Sequence, residues 1–296
     1  MAHVLTVLPL RLVLTALRWG QRLPAPEAAV VAHAARLHLT PDERRAEGSV
    51  NALRKRLRSS KETVEIVDHG AGSRGPNAPV RRLRDVYRWA ATGPAWGRFL
   101  FGLTRAHRPR RVLELGTNLG VGAGHLAAAL CVTEAEGGPP GKLVTLEGAP
   151  ALAALAAGHL ARLGHPVGNE PSDRVRVVVG AFDETLPTVL AEEGPFDLVF
   201  IDGHHEPEAA LRYLAAVEPH LGDGAVVILD DVGPGQPVRE AWRRLRAERP
   251  EAPLFFAGKY GLIFAETRSG GAAAPVARET PPSPHESAPA DRSADA

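Results

Sequence analysis

Arg111-Val-Leu-Glu114-Leu-Gly116-Thr-Asn-Leu-Gly120-Val-Gly122 runs from an apolar strand through an acid into a glycine-rich turn and then into a helix. Glycines there allow close backbone approach and dihedrals that side chains forbid, and the helix start offers unpaired N–H groups, so the stretch has the makeup of a nucleotide-binding turn. Many α/β proteins carry such a turn. The strand ends that follow it in the chain are what give it meaning.

Downstream, near-continuous apolar runs predict strands at Lys142 to Glu147, Val175 to Gly180, Phe196 to Asp202 and Ala225 to Asp230. Helical patterns stand between and after them at Gly120 to Leu130, Ala149 to Leu163, Glu184 to Ala191, Glu206 to Leu221 and Gln236 to Glu248. Alternation of this kind, with strands apolar on both faces, predicts an α/β fold: a doubly wound, mostly parallel, seven-stranded sheet. The last two strands, Leu254 to Phe256 and Gly261 to Ala265, flank a tight Gly-Lys-Tyr-Gly segment and should form a hairpin, making one strand antiparallel.

Around this middle zone, 106–267, lie two others. Residues 1–105 read as a helical, arginine-rich N-terminal extension, and 268–296 as a disordered tail of Gly, Ala, Pro, Ser and charged residues with almost nothing to bury. Met1 to Trp19 is apolar, but Pro9 and Arg11 interrupt it and no basic residue precedes it, so an amphipathic helix is expected rather than a secretory signal. It is too short and too charged to span a bilayer.

The chain has 296 residues, 44% of them hydrophobic, and a formal charge of +1, which suits a cytoplasmic globular protein rather than a strongly polyanion-driven one. The single cysteine, Cys131, cannot close an intrachain disulfide and reads as a buried thiol in a reducing compartment.

In a doubly wound sheet, ligands bind beyond the carboxyl ends of the strands, where strand order reverses. Here those ends are acidic: Glu114, Glu147, Gly180-Ala-Phe182-Asp183, Asp202-Gly-His204-His205 and Asp230-Asp231. A strand-end acid often caps the next helix, which accounts for any one of these but not readily for all of them.

On these residues, the segment from about 110 to 266 resembles a class I S-adenosylmethionine-dependent methyltransferase of the O-methyltransferase branch that includes catechol and caffeoyl-coenzyme A enzymes. Glu114-x-Gly116-x-x-x-Gly120 is similar to the family's first motif, Glu147 to its ribose-binding acid, and Phe-Asp-Leu-Val-Phe-Ile-Asp202-Gly-x-His205 to its fourth-strand motif. The stretch from Val64 to Arg74, with Asp68-His-Gly-Ala-Gly72-Ser73, resembles the leader of a bacterial subgroup with this fold; it reads either as a lid or as a surface loop.

The resemblance implies S-adenosylmethionine as cofactor. It sets Gly116, Thr117, Asn118 and Gly120 against the methionine moiety, Glu114 near its ammonium group, Glu147 and Gly148 at the ribose, and Ala181, Phe182 and Asp183 at the adenine, with Asp202 beside them. It also implies metal ligation by Asp202, Asp230 and Asp231, a hard oxygen set suited to Mg²⁺. The third position, often Asn in the family, is Asp231 here; acids that bind no metal are the alternative. His205 matches the family's basic side chain and is the candidate general base, with His204 as a neighbour pointing elsewhere and a backbone-bonding role for His205 as the alternative.

A nicotinamide-dependent oxidoreductase also places an acid after its second strand. Glu114, two residues before the first loop glycine, argues against it, because a carboxylate there repels a pyrophosphate and suits a sulfonium cofactor bearing an ammonium group. Arginines at 54–58, 81–88 and 105–111 raise a third reading, an RNA or other anionic partner. Asp42, Glu43, Glu47, Glu62 and Asp85 dilute that field, and such runs usually form solvated helix faces. A catalytically idle relative kept for interaction is a fourth. The expected partner is a small-molecule acceptor, with no nucleic acid and no membrane span, and with a homodimer contact through the N-terminal helices.

Overall fold

The computed structural model describes residues 24–36, 38–66, 78–170 and 172–266. The Met1 to Trp19 helix, the Asp68 to Arg74 turn and the tail expected from 268 lie outside the described residues.

Four helices and a small ribbon come first: α1 (Ala25–Ala34), α2 (Pro41–Ser59), β1 (Thr63–Glu65), β2 (Val80–Arg82), α3 (Leu83–Ala90) and α4 (Pro94–His107). There follow β3 (Arg111–Leu115), α5 (Val121–Ala135), β4 (Lys142–Glu147), α6 (Pro150–Arg162), β5 (Val175–Val179) and α7 (Phe182–Glu193). The chain continues through β6 (Phe196–Ile201), α8 (Pro207–Val217), β7 (Leu221–Leu229), α9 (Arg239–Glu248), β8 (Leu254–Ala257) and β9 (Tyr260–Phe264).

The strands form a seven-stranded sheet in the order β5-β4-β3-β6-β7-β9-β8. All neighbours are parallel except where β9 lies between β7 and β8, so β9 is the one antiparallel strand expected from the terminal hairpin. Strand side chains alternate between two cores. Val112, Leu198, Phe200, Val226 and Ile228 pack under α4 and α5 on one face, while Leu113, Leu115, Val199, Val227 and Leu229 pack under α7, α8 and α9 on the other. Burial on both faces explains why these strands read as continuous apolar runs.

Several boundaries differ from expectation. Helix α5 runs to Ala135, because alanines and Leu130 carry on into Val132 and Thr133, which are also buried. The helix after β6 ends at Val217 and a 3₁₀ turn at Glu218–His220 leads into β7, which begins at Leu221. Helix α7 starts at Phe182, so Asp183 and Glu184 occupy its first turn, where the helix dipole favours acids. The β1–β2 pair was not anticipated; strands of three residues carry too little pattern to be read.

The segment before β3 shares the sheet's core: Val31, Ala34, Phe99, Leu100 and Leu103 pack with Leu126 and Phe200. It is also stitched on by charge. Arg105 donates to Glu43 (3.1 Å) and to Thr133 (2.7 Å) and pairs with Glu136, while Arg54 donates to the Thr92 carbonyl (2.6 Å) and to His125 Nε2 (2.9 Å), whose Nδ1 faces Glu47 at 2.6 Å. Two members of the arginine clusters, Arg54 and Arg105, are therefore buried ties between helices rather than solvated faces. Cys131 is half-buried rather than buried, 3.5 Å from His165 Nδ1, and burial pushes its thiol pKa up.

Candidate active site

Backbone bonds set the strand tips side by side. The Gly116 and Thr117 N–H groups both donate to the Leu146 carbonyl, Gly180 donates to Glu147, Asp202 to Leu115, and Asp230 to Ile201, at 2.9–3.2 Å. Strand order reverses between β3 and β6, so the crevice opens where Gly116 meets Asp202. The approach is close: a Cβ on Gly116 would stand 2.3 Å from the Asp202 carbonyl oxygen, and its φ of +107° lies where side chains are strained. Gly120, at φ +75°, starts α5.

On the β4 side, the Glu147 carboxylate closes the glycine turn. Its Oε2 accepts from the Asn118 N–H at 2.7 Å and its Oε1 from the Ala149 N–H at 3.0 Å, with Gly148 between. Asn118 itself takes a left-handed φ of 50°. Beneath the turn, Thr117 Oγ1 lies 2.5 Å from Thr145 Oγ1, which donates to Glu114 Oε2 at 2.6 Å.

Glu114 is 1% exposed, and a Cβ on Gly122 would meet its Oε1 at 2.5 Å, so its carboxyl is enclosed under the loop. Burial pushes its pKa up to about 8; the Thr145 hydrogen bond opposes the rise and the Glu147 charge adds to it. At neutral pH this acid is mostly uncharged. That corrects the electrostatic argument against a pyrophosphate, which needed a charged Glu114.

Ala181 precedes α7. The Phe182 ring meets Tyr213 edge-on, with centroids 5.7 Å apart, and packs against Gly203. Asp183 is exposed and lies 3.5 Å from Arg212 on the next helix, so its carboxylate already faces a cation.

The other side of the crevice gathers the acids. The Asp202 carboxyl is hydrogen-bonded to Asp230, and burial together with the Asp230 charge pushes it well above the usual range. Burial would raise Asp230 too, but the Lys259 ammonium and hydrogen bonds from Asp202, Lys259 and the Asp231 N–H (2.6 Å) outweigh it and hold its pKa low. The two shifts run in opposite directions, Asp202 upward and Asp230 downward, because the two carboxyls crowd each other while Lys259 stands beside Asp230.

Lys259 is the residue that sequence reasoning missed. Its Nζ donates to Asp230 Oδ2 and stands 3.6 Å from Asp231 Oδ1. Burial works against its charge, yet Asp230, Asp202 and Asp231 together raise its pKa. It sits in the β8–β9 turn after Gly258, whose φ of +86° permits the tight reversal, and the Val232 N–H bonds its carbonyl at 3.0 Å. Gly-Lys-Tyr-Gly marks the turn in the sequence; that the turn folds onto the tip of β7 does not show there.

Both histidines lie in the turn between β6 and α8. His205 Nδ1 stands 3.4 Å from Asp231 Oδ2, with its side chain 39% exposed. His204, at a left-handed φ of 51°, turns away to the Tyr213 hydroxyl (3.0 Å) and Glu206 (3.5 Å). Asp202, Asp230 and Asp231 thus come together, but among the described residues no group of three or more His, Cys, Asp or Glu side chains is arranged to hold a metal ion.

Residues 113–232 match the family model described as a methyltransferase domain. The chain is 41% identical over 136 residues to a catechol O-methyltransferase of Mycobacterium tuberculosis, covering 46% of this chain and 54% of that protein. It is 33% identical over 174 residues to the transmembrane O-methyltransferase of Homo sapiens, covering 55% of each. Against a catechol O-methyltransferase of Niastella koreensis it is 30% identical over 168 residues, covering 53% of this chain and 69% of that protein. Among solved structures, an O-methyltransferase from Bacillus cereus in complex with SAH is 26% identical, with a TM-score of 0.46, covering 60% of this chain and 83% of that one. The chain spans about half the length of the first of these relatives. With the domain model matched and more than two thirds of the Niastella relative spanned, the chain belongs to the class I O-methyltransferase family.

Proposed function

We propose that this protein transfers a methyl group from S-adenosylmethionine to a hydroxyl oxygen of a small-molecule acceptor. The observation that carries the reading is the glycine turn bonded to the Glu147 carboxylate on one side and pressed against Asp202 on the other. The family membership and the names of the relatives support it.

The crevice residues fit the cofactor. Each oxygen of Glu147 accepts a backbone N–H, and the acceptor geometry of a carboxylate also suits a pair of ribose hydroxyls. Gly116 carries no side chain where the methionine end must pass. Phe182 offers a ring face or edge to the adenine, and Asp183, with Ala181, borders it. Glu114 acts from beneath, holding Thr145 and through it Thr117.

When bound, the cofactor supplies an electrophilic methyl on a positively charged sulfur. The protein must align the acceptor oxygen and take its proton. His205 is the group for that proton: the Asp231 carboxylate beside Nδ1 favours the tautomer with its hydrogen there, leaving Nε2 as the acceptor.

Mg²⁺ fits this site poorly. Of its three expected ligands, two, Asp230 and Asp231, already face the Lys259 ammonium. No step is therefore assigned to a metal. The test is calorimetry with S-adenosylmethionine and S-adenosylhomocysteine, where micromolar-range binding of both is expected; binding of neither overturns the assignment.

A further inference from the structure

We propose that the Lys259 ammonium is the resident cation of this site, standing where the family resemblance calls for a divalent metal, and that the protein works without one. The inference rests on the methyltransferase reading for what the site does, but its own basis is geometric.

The acids expected to bind a metal come from the tips of β6 and β7. Lys259 comes from the far side of β9, the antiparallel neighbour of β7, and reaches back over the tip of β7. Its Nζ bonds Asp230 and stands 3.6 Å from Asp231, whose other carboxylate oxygen lies 3.4 Å from His205. A divalent ion held by Asp230 would have to lie within about 2–2.6 Å of its carboxylate oxygen, where the ammonium already stands, with Asp231 3.6 Å away. Two cations cannot share that place.

The arm is also held. The Val232 N–H fixes the Lys259 carbonyl, and the next residue, Tyr260, is fully buried among Trp96, Phe99 and Phe200. Swinging Nζ out would break its bond to Asp230, which is 2% exposed, until another cation took its place. An ammonium has three N–H donors; Asp230 takes one and Asp231 lies near a second. The third can meet the acceptor oxygen and favour its deprotonated form.

The test measures metal binding directly, using Mn²⁺ as the probe and electron paramagnetic resonance to count the bound ion on the full chain. Wild type should show no saturable Mn²⁺ binding up to about millimolar concentrations. Lys259→Met, which removes the charge and keeps the stem, should gain a site, and Lys259→Arg should still exclude the ion. Methyl transfer to a panel of phenols should be the same in EDTA as in Mg²⁺. Saturable binding of Mn²⁺ by wild type, lost in Asp230→Asn, overturns the proposal even if neither lysine variant folds; so does an unchanged, metal-free Lys259→Met that folds. Calorimetry with S-adenosylmethionine on the same samples separates the two readings: no cofactor binding removes the methyltransferase assignment, whatever the Mn²⁺ result.

Discussion

The Glu147 carboxylate accepts the backbone N–H of Asn118 at 2.7 Å, tying the end of β4 to the glycine turn after β3. The same group is assigned to the ribose, so it has both a structural and a binding task. Hydrogen bonds to a charged group are worth about 1.5–3 kcal/mol, so Glu147→Ala should weaken S-adenosylmethionine by roughly 10- to 150-fold. Calorimetry checks it, and unchanged affinity would remove Glu147 from the cofactor site.

His205→Ala should lower kcat for methyl transfer by about 10²- to 10⁴-fold, the usual size of general base catalysis. Because His205 faces Asp231 and not the glycine turn, cofactor affinity should hold. A steady-state assay paired with calorimetry reads both. Equal kcat values would mean that His205 only braces its turn.

Glu114 predicts a pH effect on stability. Its folded pKa of about 8 lies above the ordinary value of 4.5, so the folded state holds a proton that the unfolded chain gives up. The stabilisation is complete below about 4.5 and is lost as pH rises toward 8, by at most about 1.4 kcal/mol per pH unit. Glu114→Gln mimics the neutral acid and lacks this loss. Relative to wild type, the variant should therefore gain stability between pH 5 and pH 8.5 in paired denaturant melts. A difference that does not change with pH would rule the buried neutral acid out.

Two glycines should respond in opposite directions. Gly116→Ala drives a Cβ into the Asp202 carbonyl at a left-handed φ and should cost about 1–3 kcal/mol or more. Gly48 is exposed inside α2 with nothing within 4 Å of an added Cβ, so Gly48→Ala should stabilise by about 0.5–1 kcal/mol. Thermal unfolding of both variants checks the contrast.

Legibility tracked how local the cause was. The strands of the sheet could be read because both faces are buried, which makes apolar content continuous over five or six residues. Glu147, Asp202, Asp230 and Asp231 could be found because each ends such a run. Their charge states could not. The upward shifts of Asp202 and Glu114 depend on burial and on carboxyls brought together from different strands. The arginines show the same limit: Arg54 and Arg105 lie in runs that look solvated, and only the packing of α2, α4 and α5 turns them inward.

The order of strands and helices, the glycine turn and the row of acidic tips were determined by the sequence alone, since periodicity and turn chemistry act between near neighbours. The tertiary structure alone decided that Lys259, 29 residues beyond Asp230, meets those acids. Strand pairing sets that distance, and only when β9 inserts beside β7 does the hairpin turn arrive at the tip, where an ammonium and a carboxylate shielded from water attract strongly enough to stay together.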